Sequence, residues 1–103
     1  MIEVKIDPEA LEIHMQGHAN YAEHGQDIVC AAASTLILTL ACRCRALAEP
    51  GEIAEEKLFS GDAHVVIAPK PGREALFYEV FNTVGAGFEA LSSKYPQCVN
   101  LTQ

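Results

Sequence analysis

Residues 28–42 of the chain read IVCAAASTLILTLAC, and this stretch decides how the rest must fold. Only three of its fifteen side chains are polar. Asp27 is suited to cap a helix here, and Pro50-Gly51 ends it. At about 1.5 Å per residue these fifteen residues span roughly 22 Å, less than the roughly 30 Å core of a bilayer. The pattern predicts a core helix rather than a membrane span, needing apolar cover on more than one side.

Strand patterns lie on both sides of this helix. Residues 2–6 and 11–16 alternate apolar and polar side chains around the turn Asp7-Pro8, which predicts a half-buried hairpin. Residues 52–60 and 62–70 meet at Gly61-Asp62, which indicates a second hairpin.

A second helix is predicted from residue 74 to about residue 95, where apolar side chains recur at spacings of three and four. Gly85-Ala86-Gly87 in its middle would let another backbone approach, and we expect the alanine-rich face of the first helix there. The element order is β-β-α-β-β-α, with room for a final strand at 98–102. We therefore expect an α+β fold of two helices on an antiparallel or mixed sheet, forming one small domain over residues 1–103.

The charge balance excludes some functions. Fourteen acidic and seven basic side chains give a formal charge of −7. Phosphate backbones and anionic lipids repel such a chain, so we expect neither direct nucleic-acid binding nor membrane binding. The charge favours solubility or the attraction of a basic partner, and the sequence alone leaves both open.

The four cysteines are expected to be reduced. The chain opens MIEVKID, with neither a basic start nor an apolar run, which predicts a cytoplasmic protein without a signal peptide. Cys42 and Cys44 fall within the first helix, where side chains two residues apart point about 200° away from each other and do not bridge.

Candidate chemistry concentrates around the start of the first helix. Cys30 is the third residue after Asp27, where free backbone N–H groups and the helix dipole stabilise a thiolate. His18 and His24 lie in the preceding loop, residues 17–26, and either imidazole is a candidate proton acceptor for the thiol. A cysteine in an apolar helix is more often a small core side chain, so the histidines carry the functional interpretation.

Three further side chains need placing. Ser34 is one helical turn beyond Cys30, where its hydroxyl either contributes to the site or bonds back to the carbonyl of Cys30. His14 and His64 fall on strands and are interpreted as surface or packing residues.

Residues 17–34, GHANYAEHGQDIVCAAAS, resemble the signature of the ribosomal-processing cysteine protease family, GHA…G-x-DIVCA-x-x-S. The matching positions include the catalytic pair that the resemblance implies, with His18 as general base and Cys30 as nucleophile. Asp27 would be a supporting residue that orients His18 or only caps the helix. Ser34 would assist in the site. Amides at the helix N-terminus, that of Cys30 included, are expected to stabilise the oxyanion.

The same resemblance implies a substrate, an assembly and a moving part. Its members trim a short N-terminal extension from the bacterial large-subunit ribosomal protein twenty-seven, cleaving after aromatic residues. They form homodimers, need no metal or other cofactor, and close a mobile loop, for which Gly17 and Gly25 would be the hinges. Phe59, Tyr78 and Tyr21 are aromatic candidates for the substrate pocket, and the sequence does not decide among them.

Two alternatives stay open at this point. His18, His24 and Cys30 could belong to a metal site, although their spacing of six and six is unlike that of zinc ligands. The chain could instead be a non-catalytic ribosome-assembly accessory or dimeric binding module, whose apolar helix serves oligomerisation.

Overall fold

The computed structural model describes residues 1–23 and 25–103. Five strands and two helices follow one another in the chain: β1 (Ile2–Asp7), β2 (Glu12–Gln16), α1 (Ile28–Leu47), β3 (Ile53–Phe59), β4 (Asp62–Ile67), α2 (Glu74–Lys94) and β5 (Val99–Thr102). The predicted order of elements is confirmed, including the final strand.

The strands form one mixed sheet in the order β3-β4-β2-β1-β5. Both hairpins are antiparallel, and β2 also pairs antiparallel with β4. Strand β5 pairs parallel with β1, because the chain crosses over through α2 before it returns to the sheet.

Both helices cover the same face of this sheet, since only alternate side chains of β1, β2 and β4 are buried. The largest buried side chains come from α2, where Phe77, Phe81 and Phe88 are fully buried. One face of α1 completes the core, with Val29, Ala33, Ile37, Leu40, Ala41 and Cys44 buried.

Helix α1 is longer than the sequence predicted, and it is buried on one face where the sequence predicted contact on more than one side. It has 20 residues, roughly 30 Å, because it continues beyond the fifteen-residue apolar run to Leu47, before the predicted stop at Pro50-Gly51. By length and composition it is one helix that could cross a membrane, so the length argument against a span was wrong. Its buried face supports a core helix instead. Its outer face carries a shallow exposed groove, the outer groove, lined by Leu38, Thr39, Cys42, Arg43 and Ala46.

The glycines of α2 allow the close approach of α1 that the sequence predicts. A Cβ at Gly87 would lie 2.5 Å from Cδ2 of Leu36. The neighbour is therefore a leucine of α1, not the alanine-rich face that we expected.

A buried ion pair fastens the end of α1 to the start of α2. The carboxylate of Glu52 is fully buried and accepts two hydrogen bonds from Arg73, at 2.8 and 3.0 Å. It also accepts from the backbone N–H groups of Glu49 and Lys70, while Arg73 donates to the carbonyl of Leu47. The hydrogen bonds from Arg73, aided by the two amides, outweigh desolvation and lower the pKa of Glu52 to about 2.

Candidate active site

A cleft of about 590 Å³ opens between the start of α1, the β3–β4 turn and the segment that precedes α1. We call residues 17–23 and 25–26 of that segment the site loop. The six residues that the family resemblance places in the site all line this cleft: Gly17, His18, Gly25, Asp27, Cys30 and Ser34. The fold thus brings together a thiol, an imidazole and a carboxylate that are up to twelve residues apart in the chain.

Asp27 joins the site loop to the helix. One carboxylate oxygen, Oδ1, accepts from the backbone N–H groups of Val29 and Cys30 at 3.0 and 2.9 Å. The other, Oδ2, accepts from those of Tyr21 and Ala22 at 2.9 and 3.4 Å. Capping of α1 by Asp27 is therefore confirmed, and the carboxylate has a second task in holding the loop.

These backbone contacts also set the charge of Asp27. Desolvation by itself would raise the pKa of the carboxyl, but the hydrogen bonds from Cys30, Tyr21 and Ala22 outweigh it and hold the pKa below its usual value. Hydrogen bonds between Asp27 and His18 are not found among the described residues. Orientation of the imidazole by Asp27 consequently has no contact to support it in this conformation.

Cys30 lies in the first turn of α1 and is half-buried. Its Sγ accepts a hydrogen bond from the backbone N–H of Ala19 at 3.2 Å, a donor that the sequence analysis missed. The site loop thus places a backbone donor on the sulfur from outside the helix.

The backbone amides of Val29, Cys30 and Ala31 are already hydrogen-bonded, contrary to the expectation that the Cys30 amide stabilises an oxyanion. Those of Val29 and Cys30 donate to the carboxylate of Asp27, and that of Ala31 donates to its carbonyl at 3.1 Å. Asp27 thus occupies these donors, while the backbone N–H of Ala19 contacts the sulfur of Cys30.

His18 is exposed at the rim of the cleft, where its imidazole lies against the backbone of Gly61 in the β3–β4 turn. Within residues 1–23 and 25–103 no hydrogen bond joins this ring to Cys30. The other candidate base, His24, lies outside the described residues.

The remaining candidates also face the cleft. The hydroxyls of Thr35 and Thr39 bond back to carbonyls of the preceding helical turn, but no such bond is found for Ser34 in the part of the chain that is described. Ser34 instead lines the cleft with an exposed side chain. Gly17 and Gly25 both have positive φ, +94° and +90°, which suits glycine at the two ends of a loop.

An apolar wall lines the same cleft as the thiol and was not predicted as a unit. Leu38 from α1 and Leu58 and Phe59 from β3 line the cleft. Phe59 is 71% exposed, although it is a large apolar side chain. Of the other aromatic candidates, Tyr78 lies on a different surface, beside Pro8.

Tyr21 has a different role from that of a pocket residue. Its ring packs edge-on against Tyr95, which follows α2, with ring centroids 5.4 Å apart and planes at 78°. This aromatic contact therefore anchors the site loop in addition to the hydrogen bonds to Asp27.

The histidines and cysteines interpreted as non-catalytic lie apart from the cleft. His14 and His64 are cross-strand neighbours on the open face of the sheet and bond to Asp62 and Glu12 respectively. Cys42 is exposed, whereas burial raises the pKa of Cys44 to about 11. This confirms that the two thiols face opposite sides of α1.

Metal binding finds no support in the described part of the chain. Among residues 1–23 and 25–103, no three His, Cys, Asp or Glu side chains lie close enough to hold an ion. His24, one member of the metal alternative, is outside that part.

A thiol at a helix N-terminus, a backbone donor to its sulfur and an imidazole in the same apolar-walled cleft are the groups that a cysteine-dependent hydrolase requires. The family model described as Cysteine protease Prp matches residues 1–100. The chain belongs to this family.

One curated relative and two solved structures illustrate the likeness. The ribosomal processing cysteine protease Prp of Bacillus subtilis (strain 168) is 52% identical over 31 residues, which make up 30% of this chain and 28% of that protein. The essential ribosomal processing protease Prp from S. aureus, with a covalently linked product peptide, has a TM-score of 0.76 at 23% identity. The alignment covers 98% of this chain and 95% of that one. The same protease with a substrate peptide gives a TM-score of 0.70 at 19% identity, with the same coverages. At such identities these structures show the fold.

Proposed function

We propose that this chain is a cytoplasmic cysteine endopeptidase that removes a short N-terminal extension from the large-subunit ribosomal protein twenty-seven, cleaving after an aromatic residue. The observation that carries the proposal is the position of Cys30, which lies in the first turn of α1 with the Ala19 N–H on its sulfur, in the cleft that His18 also lines. Family membership and the peptide complexes of the S. aureus relative support it.

The proposed reaction starts with proton transfer. The imidazole of His18 takes the proton of the Cys30 thiol, and the resulting thiolate attacks the carbonyl carbon of the scissile bond. When the tetrahedral intermediate collapses, the amine leaves with the proton from the imidazolium and a thioester remains. Water, deprotonated by the same imidazole, then hydrolyses the thioester and regenerates the thiol.

The backbone N–H of Ala19 is suited to both charged states of this reaction. It donates to the sulfur before the attack, when the negative charge resides there. Once the C–S bond has formed, the negative charge resides on the oxygen of the attacked carbonyl group. This oxygen is bonded to the carbon that the sulfur has attacked, so it lies a short distance from the Ala19 N–H. A donor fixed where charge develops lowers the barrier of acyl transfer.

The preference for an aromatic residue is assigned to the apolar wall of the cleft. Leu38 and Phe59 are both large and exposed, and with Leu58 they line the cleft that holds the thiol. An aromatic side chain of a substrate would cover this surface and remove it from water, which is favourable by about 25 cal/mol per Å² of apolar area.

The net charge of −7 suits a basic substrate rather than nucleic acid. Ribosomal proteins are basic, and opposite charges accelerate encounter by long-range attraction that salt screens. We therefore expect kcat/KM to fall as ionic strength rises, while a rate that stays constant would leave solubility as the purpose of the charge.

We further propose that two copies associate through the outer groove of α1, which exposes apolar surface on a helix that is buried on its other face. The variant Cys42→Arg would place a charge in that groove and is expected to sediment as a monomer, whereas wild type sediments as a dimer. Tyr78→Arg changes an exposed apolar residue elsewhere and is the control. A wild-type monomer would contradict this assignment.

The substrate is tested with the ribosomal protein from the same genome, including its N-terminal extension. Intact-mass measurement before and after incubation is expected to show loss of the extension after an aromatic residue, and no loss when that residue is replaced by serine. An unchanged mass with both substrates would refute the proposed substrate.

A further inference from the structure

The β3–β4 turn contains a glycine whose missing side chain leaves space for the imidazole of His18. A Cβ built on Gly61 would lie 2.7 Å from Nε2 and 3.0 Å from Cε1 of that ring. Real Cβ atoms essentially never come within 3.0 Å of such neighbours, so the ring occupies the place where an L side chain would begin.

The same turn is bonded to the residue before His18. The backbone N–H of Gly17 donates to the carbonyl of Gly61 at 2.9 Å. The main chain on one side of His18 and the tip of its ring thus both touch Gly61, which lies 43 positions further along the chain.

The turn itself is held firmly. Asp62, the next residue, accepts hydrogen bonds from Lys57 at 2.9 Å and from His14 at 3.2 Å, and pairs with Gln16 in the sheet. A support that is fixed by strands on both sides restricts the positions open to a side chain resting on it.

We propose that Gly61 is a positioning residue, whose bare backbone surface holds the imidazole of His18 at the rim of the cleft that Cys30 also lines. This inference rests on the proposed function, in which His18 is the general base. Any side chain at position 61 moves the ring by about 0.7 Å before ordinary contact at 3.4 Å is restored. Such a shift destabilises the fold little, because the obstructing atoms are the far end of a flexible side chain. A displacement of a catalytic group by about 1 Å can nevertheless lower the rate by up to about 100-fold.

The test compares Gly61→Ala with Gly51→Ala. Both glycines have positive φ, +75° and +89°, so alanine strains the backbone at either position. A Cβ at Gly51 meets nothing within 4 Å, so this control carries the strain without the contact. Gly61→Asn adds a second distinction, because asparagine tolerates positive φ better than alanine while still carrying a Cβ.

Three measurements on each full-length variant separate an effect on positioning from an effect on stability. They are the midpoint of urea unfolding, kcat and KM determined separately on an aromatic-containing peptide, and the pH profile of Cys30 alkylation. We expect Gly61→Ala and Gly61→Asn to lower kcat by about 10- to 100-fold with KM within about twofold. Their alkylation profiles should move towards that of His18→Ala. Gly51→Ala should keep wild-type kcat and a wild-type profile.

Each outcome decides something. Equal kcat for Gly61→Ala and Gly51→Ala, or recovery of kcat in Gly61→Asn, would overturn the positioning role and leave only backbone strain. A wild-type protein that cleaves no peptide, or a His18→Ala variant as active as wild type, would instead overturn the proposed function.

Discussion

The backbone N–H of Ala19 donates to the Sγ of Cys30 at 3.2 Å, so the residue that follows His18 is in direct contact with the thiol. Ala19 is buried, whereas His18 and Asn20 on either side of it are exposed. The site loop therefore reaches the sulfur through one buried backbone group and leaves the neighbouring imidazole at the rim of the cleft. The loop thus contacts the sulfur through its main chain and not through the imidazole of His18.

Cys30 is predicted to be the most reactive of the four thiols. It has the Ala19 N–H and the N-terminus of α1 beside it, whereas Cys42 lies near the opposite end of the helix dipole and burial raises the pKa of Cys44 to about 11. Peptide mapping after brief treatment with iodoacetamide below neutral pH should find Cys30 modified first and Cys44 last. Modification of the exposed Cys42 as fast as Cys30 would contradict this.

Tyr95 is predicted to hold the site loop through its contact with Tyr21. An edge-on aromatic pair is worth about 0.5–1.5 kcal/mol, so Tyr95→Ala should accelerate amide hydrogen exchange of the loop by up to about tenfold. Tyr95→Phe keeps the ring and serves as the control, with exchange like that of wild type. Unchanged protection in Tyr95→Ala would show that the aromatic contact does not hold the loop.

The two tasks of Asp27 can be separated by two substitutions. Asparagine retains one acceptor oxygen and is a good N-cap, but its amide nitrogen cannot accept from Tyr21 and Ala22. Asp27→Asn should therefore melt near the wild-type temperature while the loop amides exchange faster. Asp27→Ala loses the cap as well and should melt lower. Equal melting temperatures for the two variants would argue against the cap.

The sequence predicted the elements better than the contacts among them. Alternation in β1 and β2 and the apolar spacing in α2 are local patterns, and each element formed where its pattern lies. The end of α1 at Leu47 lies just before the predicted stop at Pro50-Gly51, but the length of the helix was underestimated because only the fifteen-residue apolar run was counted.

The site residues that lie together in one segment of the sequence were predictable. Those that the fold brings to the segment from distant positions were not. Residues 17–34 contain the thiol and the imidazole, so both were found from the sequence. Gly61 touches His18, which lies 43 positions earlier in the chain. Tyr95 packs against Tyr21, which lies 74 positions earlier. Gly61 was recognised as a turn and Tyr95 as a helix end, but neither pattern indicates what the residue will touch.

Glu52 is predicted to make the fold sensitive to acid. Its folded-state pKa, lowered from 4.5 to about 2 mainly by Arg73, means that the ionised carboxylate stabilises the native state fully above about pH 4.5. This contribution is lost as the pH falls towards about 2. Glu52→Gln should lower the urea midpoint at neutral pH, and the difference from wild type should shrink through that window.

Glu49→Gln is the matched control for this effect. Glu49 is a half-exposed carboxylate that also pairs with Arg73 and Lys70, and surface pairs contribute roughly 1 kcal/mol or less. Its variant should unfold nearly as wild type does at every pH. If Glu52→Gln lowers the urea midpoint by the same amount at neutral pH and near pH 2, the shape of the Glu52 side chain and not its charge stabilises the fold.

The central claim is that Cys30 is the nucleophile of a protease, and cleavage of a peptide by Cys30→Ala tests it most directly. The peptide spans an aromatic-containing N-terminal extension, mass spectrometry reports the fragments, and Cys42→Ala controls for loss of a thiol elsewhere on α1. We predict that wild type and Cys42→Ala cleave after the aromatic residue, and that Cys30→Ala yields no fragments although it melts near the wild-type temperature. Cleavage by Cys30→Ala at the wild-type rate would contradict the account.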